Sequence, residues 1–262
     1  MLANYTKVSK IYFRLSLIIL ALSISSCKNF NNVTSESLPI SHQPWDTLLK
    51  AHVDSVGKVN YEGFIRDSVQ LNSYLNILSN GFPNAENWTE NERMAYWINA
   101  YNAFTVQLII RNYPLESIKD IGSTVAIPFI NSVWDIAFFS VENQNLTLNN
   151  IEHSILRKEF NEPRIHFAIN CASKSCPPLR TEAYTAEKLE TQLKEQAILF
   201  INHLDYNQIT EDEIVVSKIF FWFGGDFEKQ GTLIDYLNKF STIKISKDAS
   251  VDFLDYNWLL NE

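Results

Sequence analysis

The stretch "HFAINCASKSCPP", His166 to Pro178, gathers a histidine, an asparagine and two cysteines within thirteen residues. Three chemistries use such a set. A thiol with an imidazole beside it is a nucleophile and its base. Thiols and imidazoles at ligand spacing hold a metal. Two cysteines in an oxidising compartment form a staple. The choice between them depends on where the chain resides and on how many cysteines remain there.

The N-terminus bears on the compartment. Lys7, Lys10 and Arg14 form a basic stretch without an acidic residue, and Leu15 to Ile24 is an apolar run of about ten residues. That length suits a secretory signal and is too short for a bilayer span. The run ends in Ile24-Ser25-Ser26-Cys27, which resembles the lipobox of bacterial lipoproteins. The resemblance implies removal of residues 1–26, lipidation of Cys27 and a membrane anchor of two or three acyl chains. Lys28 and Asn29 follow, with no acidic residue; by the same resemblance, this favours the outer membrane of a bacterial envelope. Residues 28–41, polar and aperiodic, read as a flexible tether, and residues 42–262 as a single globular domain.

Composition narrows the partners. The chain has 22 basic and 30 acidic residues. Removing the three basic residues of the leader leaves 19 against 30, a net charge of −11. That argues against nucleic acid as a partner and leaves a small molecule, a peptide or a glycan. No phosphate-binding loop or dinucleotide fingerprint occurs, and no cofactor is expected.

The elements that must position these residues follow from periodicity. "WDTLLKAHV" (45–53), "SVQLNSYLNILS" (68–79), "NNIEHSILRKEF" (149–160) and "TAEKLETQLKEQAILFINHL" (185–204) read as helices, and Thr232–Phe240 as another. The longest helical segment runs from a Thr89 cap to Pro114. Val59–Phe64 reads as extended. Val133–Ile136, Phe138–Val141 and Arg164–Asn170 read as strands. "ITEDEIVVSKIFFWF" reads as strand, turn and second strand, and "VDFLDYNWLL" as a closing strand. The class is α+β, a helix-rich domain around a small, mostly antiparallel sheet.

"VNYEGF", "YWINAYNAFTVQLII", "SIKDIG", "LTLNNIEHSILR", "PRIHFAINCASKSCPPLR" and "FLDYNWLLN" resemble, in this order, the bacterial and plant family called domain of unknown function 547. The likeness runs from about Val59 to Leu260. It implies a fold unit and no particular reaction.

With Cys27 lipidated, Cys171 and Cys176 remain, and a loop this short can bring them to bridging distance. The sequence therefore predicts a Cys171–Cys176 disulfide. The alternative is a nucleophilic Cys176 or Cys171 with His166 as base. On a strand, Arg164, His166 and Asn170 share one face and Cys171 the other, which disfavours a simple Cys171–His166 pair. A metal site is not expected: C-x4-C lacks a companion pair, although His153, His166 and Glu152 could meet.

Polar residues on otherwise apolar elements mark a candidate cleft: Asn99 and Asn102 on one helix face, Arg164, His166 and Asn170 on the strand, Glu152 and His153 on the helix between. The same residues could equally form a buried network that locks helix to sheet. A helix followed by a strand bearing histidine is loosely similar to transglutaminase-like and papain-like hydrolases, an analogy of fold alone. Two functions follow. One is a lipid-anchored binding or assembly module with a polar cleft; the other is a cysteine-dependent hydrolase or acyl transferase.

Overall fold

A computed structural model describes residues 35–122 and 132–262. The leader, Cys27 and the first part of the tether lie outside the described residues. Helices α1 (Gln43–His52), α2 (Tyr61–Arg66) and α3 (Ser68–Ser79) surround α4 (Glu90–Asn112). α4 begins at a reciprocal cap: Thr89 Oγ1 accepts from the Glu92 N–H, and the Glu92 carboxylate accepts from the Thr89 N–H. Residues from Met94 to Ile109 are buried along its whole circumference, so this helix is the axle of the domain. Trp45, Phe64 and Tyr74, one from each of the three shorter helices, are buried with their rings in contact.

A hairpin of β1 (Phe139–Val141) and β2 (Gln144–Leu146) follows. Thr147 and Asn150 then exchange side-chain and backbone hydrogen bonds and open a π-helical segment, Asn150–Leu156. There the Arg157 N–H reaches the Glu152 carbonyl five residues back. Such widened turns recur at functional sites. The segment runs into α5 (Arg157–Glu159), α6 (Ile165–Ala168) and α7 (Leu189–Ile201). Next come β3 (Asn207–Ile209), β4 (Glu213–Val216), α8 (Lys218–Trp222), α9 (Gly224–Phe227), α10 (Leu233–Leu237) and β5 (Ser250–Phe253). β3 pairs antiparallel with β4, and β4 parallel with β5. A second core of Phe167, Phe200, Phe220, Phe227, Tyr236 and Leu237 lies under this sheet. The arrangement is the α+β class read from the sequence.

Four local expectations are corrected. Val59–Phe64 is extended only at its start, because Asn60 accepts from the Gly63 N–H and caps α2. Val133–Asp135 is a 3-10 turn closed by a Ser132–Asp135 box. "KIFFW" is helix α8, capped by Ser217. Most consequentially, Arg164–Asn170 is no strand. The N–H groups of Ile165, His166 and Phe167 bond back to Glu162, Pro163 and Arg164, winding a single turn, and the chain becomes extended only at Ile169. Tertiary contacts override β-propensity here: Phe167 is buried in the second core, and Asn102 on α4 seizes the Ala168 carbonyl and the Asn170 N–H. The histidine-bearing strand of the hydrolase analogy is therefore absent.

The expected tether is docked at its end. Ser37 donates its hydroxyl to the Phe82 carbonyl, and its own carbonyl accepts from Trp88 Nε1 and Asn84 Nδ2. Among the described residues, no helix is long and apolar enough to cross a membrane.

Candidate functional site

The asparagines act on backbone rather than on a cleft. Asn99 Nδ2 donates to the Tyr184 carbonyl while its Oδ1 accepts from the Tyr184 N–H. Asn102 makes the same two-way clamp on Ala168 and Asn170, at 2.9 and 2.8 Å. Asn170 Nδ2 donates to the Pro177 carbonyl, and its Oδ1 accepts from the Ala172 N–H and from Asn261 Nδ2. Each buried amide thus satisfies peptide groups that would otherwise lack partners. Together they template the loop from 168 to 178. Ala172 sits in the left-handed region at φ 62°, a strained conformation held by the Asn170 bond.

That loop places Cys171 at the floor of a cleft of about 180 Å³, lined among others by Glu152, His153, His166, Tyr101 and Tyr256. Three groups converge on Cys171 Sγ: Cys176 Sγ at 2.7 Å, and the hydroxyls of Ser173 and Tyr256, each at 3.3 Å. Cys176 Sγ also accepts from the Cys171 N–H. The expected disulfide is not formed here; both thiols are free. Burial pushes the Cys171 thiol up, but the hydrogen bonds from Cys176, Ser173 and Tyr256 outweigh it and bring the pKa to about 7. Burial and the neighbouring Cys171 push Cys176 far up. One thiol of the pair is poised to ionise and the other to donate.

Tyr256 reaches this floor because the C-terminal segment lies along the cysteine loop. The N–H groups of Lys174 and Ser175 donate to the carbonyls of Leu259 and Asn257, and Leu260 bridges Ser173.

The second half of the site centres on His166. Its Nε2 lies 2.9 Å from Asp226 Oδ2 on α9, and its ring stacks on Phe223 at 4.0 Å. Asp226 also accepts from Arg157 Nε at 2.6 Å. With Nε2–H donated to Asp226, Nδ1 is a bare acceptor; it has no hydrogen-bond partner and faces Glu152 Oε1 at 4.0 Å. Burial holds His166 below its ordinary pKa, against the pull of Asp226. Asp226 is itself held far below the carboxylate range by its bonds to His166 and Arg157. Glu152 is buried, and desolvation, reinforced by Cys171, raises it to about 7. Tyr101 Oη donates to it at 3.5 Å. His153, on the exposed rim, is held down by partial desolvation and by Arg157.

Of the residues expected to form the site, Glu152, His153, His166, Cys171 and Cys176 meet in the cleft. Asn99, Asn102 and Asn170 stand behind it as clamps. Arg164 points elsewhere, into ion pairs with Glu162 and Glu190. Among the described residues, no group of three or more acidic, histidine or cysteine side chains is arranged to hold a metal. Sequence reasoning missed Asp226, although an acid set in the aromatic run "FFWFGGDF" was a usable signal. It also missed Tyr256 and Trp258, whose rings pack 4.5 Å apart in the lining of the cleft.

No curated protein and no solved structure matches the chain. Residues 85–201 match the family model described as "Protein of unknown function, DUF547". That segment carries α4, the π-helical segment and the cysteine loop, so the match supports the chain's place in this family of unknown function.

Proposed function

We propose that the cleft performs thiol-dependent acyl transfer on an uncharged ester, thioester or amide, in an envelope protein anchored through acylated Cys27. The observation that carries it is the convergence of Cys176, Ser173 and Tyr256 on Cys171 Sγ, in the same cleft as Glu152 and the His166–Asp226 pair. The Cys171 thiolate attacks the carbonyl carbon and forms a thioester. The leaving group departs with the proton of the neutral Glu152 carboxyl. Water then adds to the thioester and returns a proton to Glu152; the acid is released and the thiolate restored. His166, fixed by Asp226, turns its unpartnered Nδ1 toward Glu152 Oε1, 4.0 Å away.

A second state has its own support. The sulfurs are 2.7 Å apart, nearer than unbonded sulfurs normally approach, and need move little to reach the bonded separation of about 2.05 Å. In an oxidising envelope the two thiols would pass two electrons and two protons to a disulfide oxidant, which becomes a dithiol. The resulting Cys171–Cys176 bridge cannot attack an acyl group, and the cleft is then left with binding alone.

Reduced protein incubated with p-nitrophenyl acetate tests the reading. An acetyl adduct on Cys171, seen by intact mass and lost on standing in water, is expected; Cys176→Ser keeps it and Cys171→Ser abolishes it. Equal acetylation of Cys171→Ser overturns the proposal. Uptake of a tagged fatty acid by the intact chain, and none by Cys27→Ser, checks the anchor.

A further inference from the structure

The cleft mouth is built of aromatic rings that the acyl-transfer chemistry does not use. Trp134, Trp222 and Trp258 line it together with Tyr256. Trp258 holds the group in place: its ring centroid lies 4.5 Å from Tyr256, 5.5 Å from Trp134 and 5.8 Å from Trp222. Lys119 Nζ sits 3.7 Å over the Trp258 ring. Trp222 nevertheless exposes 42% of its surface. A large indole left open at the mouth of a cleft, locked by its neighbours, is a contact surface awaiting a partner.

The polar groups beside it limit what that partner is. Asn149, Glu152 and His153 line the same cleft and offer donors and acceptors there: partial desolvation and Arg157 keep His153 neutral near neutral pH, and burial raises Glu152 to about 7, so that it still holds its proton about half the time. A linear acyl chain would leave them unpaired, at a cost. An anionic ligand would be repelled by the ionising Cys171 and Glu152 at the floor. A ring with one apolar C–H face and hydroxyls around its edge satisfies both halves. The volume of about 180 Å³ is below the range of about 300–1,000 Å³ that encloses a drug-sized ligand, and so suits one ring rather than several.

We infer that the mouth of the cleft binds a neutral sugar ring, stacked on Trp222 and hydrogen-bonded by Asn149, Glu152 and His153, and that the acyl group presented to Cys171 is one carried by that sugar. The second half of this inference rests on the acyl-transfer reading; the first does not.

Titration of the Cys171→Ser protein with N-acetylglucosamine, a single neutral ring, followed by calorimetry, tests it without turnover. Saturable binding is expected. Trp222→Ala should weaken it about fivefold or more, in line with an aromatic contact of about 1 kcal/mol, and Trp222→Phe should restore most of it. Trp222 is exposed, so unchanged melting of both variants shows that the fold is intact. Absence of saturable binding, or equal binding by Trp222→Ala, overturns the sugar site. Acetylation of Cys171 by the nitrophenyl ester without sugar binding leaves acyl transfer standing and removes the sugar. Sugar binding without acetylation keeps the ring site and removes the acyl-transfer reading.

Discussion

His166 Nε2 and Asp226 Oδ2 lie 2.9 Å apart across sixty residues of chain, and this contact fixes which imidazole nitrogen is left bare. The carboxylate, held ionised by His166 and Arg157, accepts a hydrogen bond from Nε2–H and so leaves Nδ1 as the bare acceptor. The imidazole nitrogen resonances of His166 should therefore report the Nε2–H tautomer at pH 7. Asp226→Ala leaves both the Arg157 guanidinium and His166 without this partner. It should lower stability by about 2 kcal/mol, read by urea unfolding, and blur the tautomer signal. A single sharp Nε2–H tautomer in that variant would remove Asp226 from its positioning role.

Glu152 links the site to pH. Its folded pKa, raised from 4.5 to about 7, means that the folded state binds a proton more tightly than the unfolded chain. Its contribution to stability is complete below pH 4.5 and is lost as pH rises through 7. The loss amounts to about 3 kcal/mol. Glu152→Gln, which stays neutral, should match the wild type at pH 4.5 and exceed it in unfolding free energy at pH 8. Parallel pH profiles for the two proteins would contradict a raised Glu152.

Asn102 tests how the nucleophile loop is held. Asn102→Ala strips partners from two buried peptide groups, the Ala168 carbonyl and the Asn170 N–H. The cost should be about 3 kcal/mol. Because the loop also positions Cys171 among its donors, iodoacetamide should alkylate the variant with a half-point displaced upward from pH 7. An unchanged alkylation profile would mean that the loop keeps its shape without the clamp.

Gly57 braces the far side of the same loop. Its φ of +83° lies in the left-handed region, and a Cβ there would run into Pro178. Gly57→Ala meets both penalties and should destabilise by about 1–3 kcal/mol, measured by thermal or urea unfolding; a neutral result would show that Pro178 yields freely.

Much was determined locally and was legible as such. The α+β class, the extent of α4 between Thr89 and Pro114, the cap of α4 and the helical nature of residues 189–201 all follow from periodicity and capping, which act over a few residues. So did the choice of Glu152, His153, His166 and the cysteine pair, because unusual residue types stand out against an apolar background. What the tertiary structure decided is every relation between distant segments. An alternating apolar pattern made Arg164–Asn170 look like a strand, yet Asn102 on α4 and the second core wind it into a turn and so orient His166. Asp226 and Tyr256 gained their roles only when α9 and the C-terminal segment docked, sixty and eighty-five residues from the groups they touch. Capping and periodicity are short-range and leave marks in composition. Hydrogen bonds between remote side chains leave none, because any polar residue brought to the same place by the fold could make them.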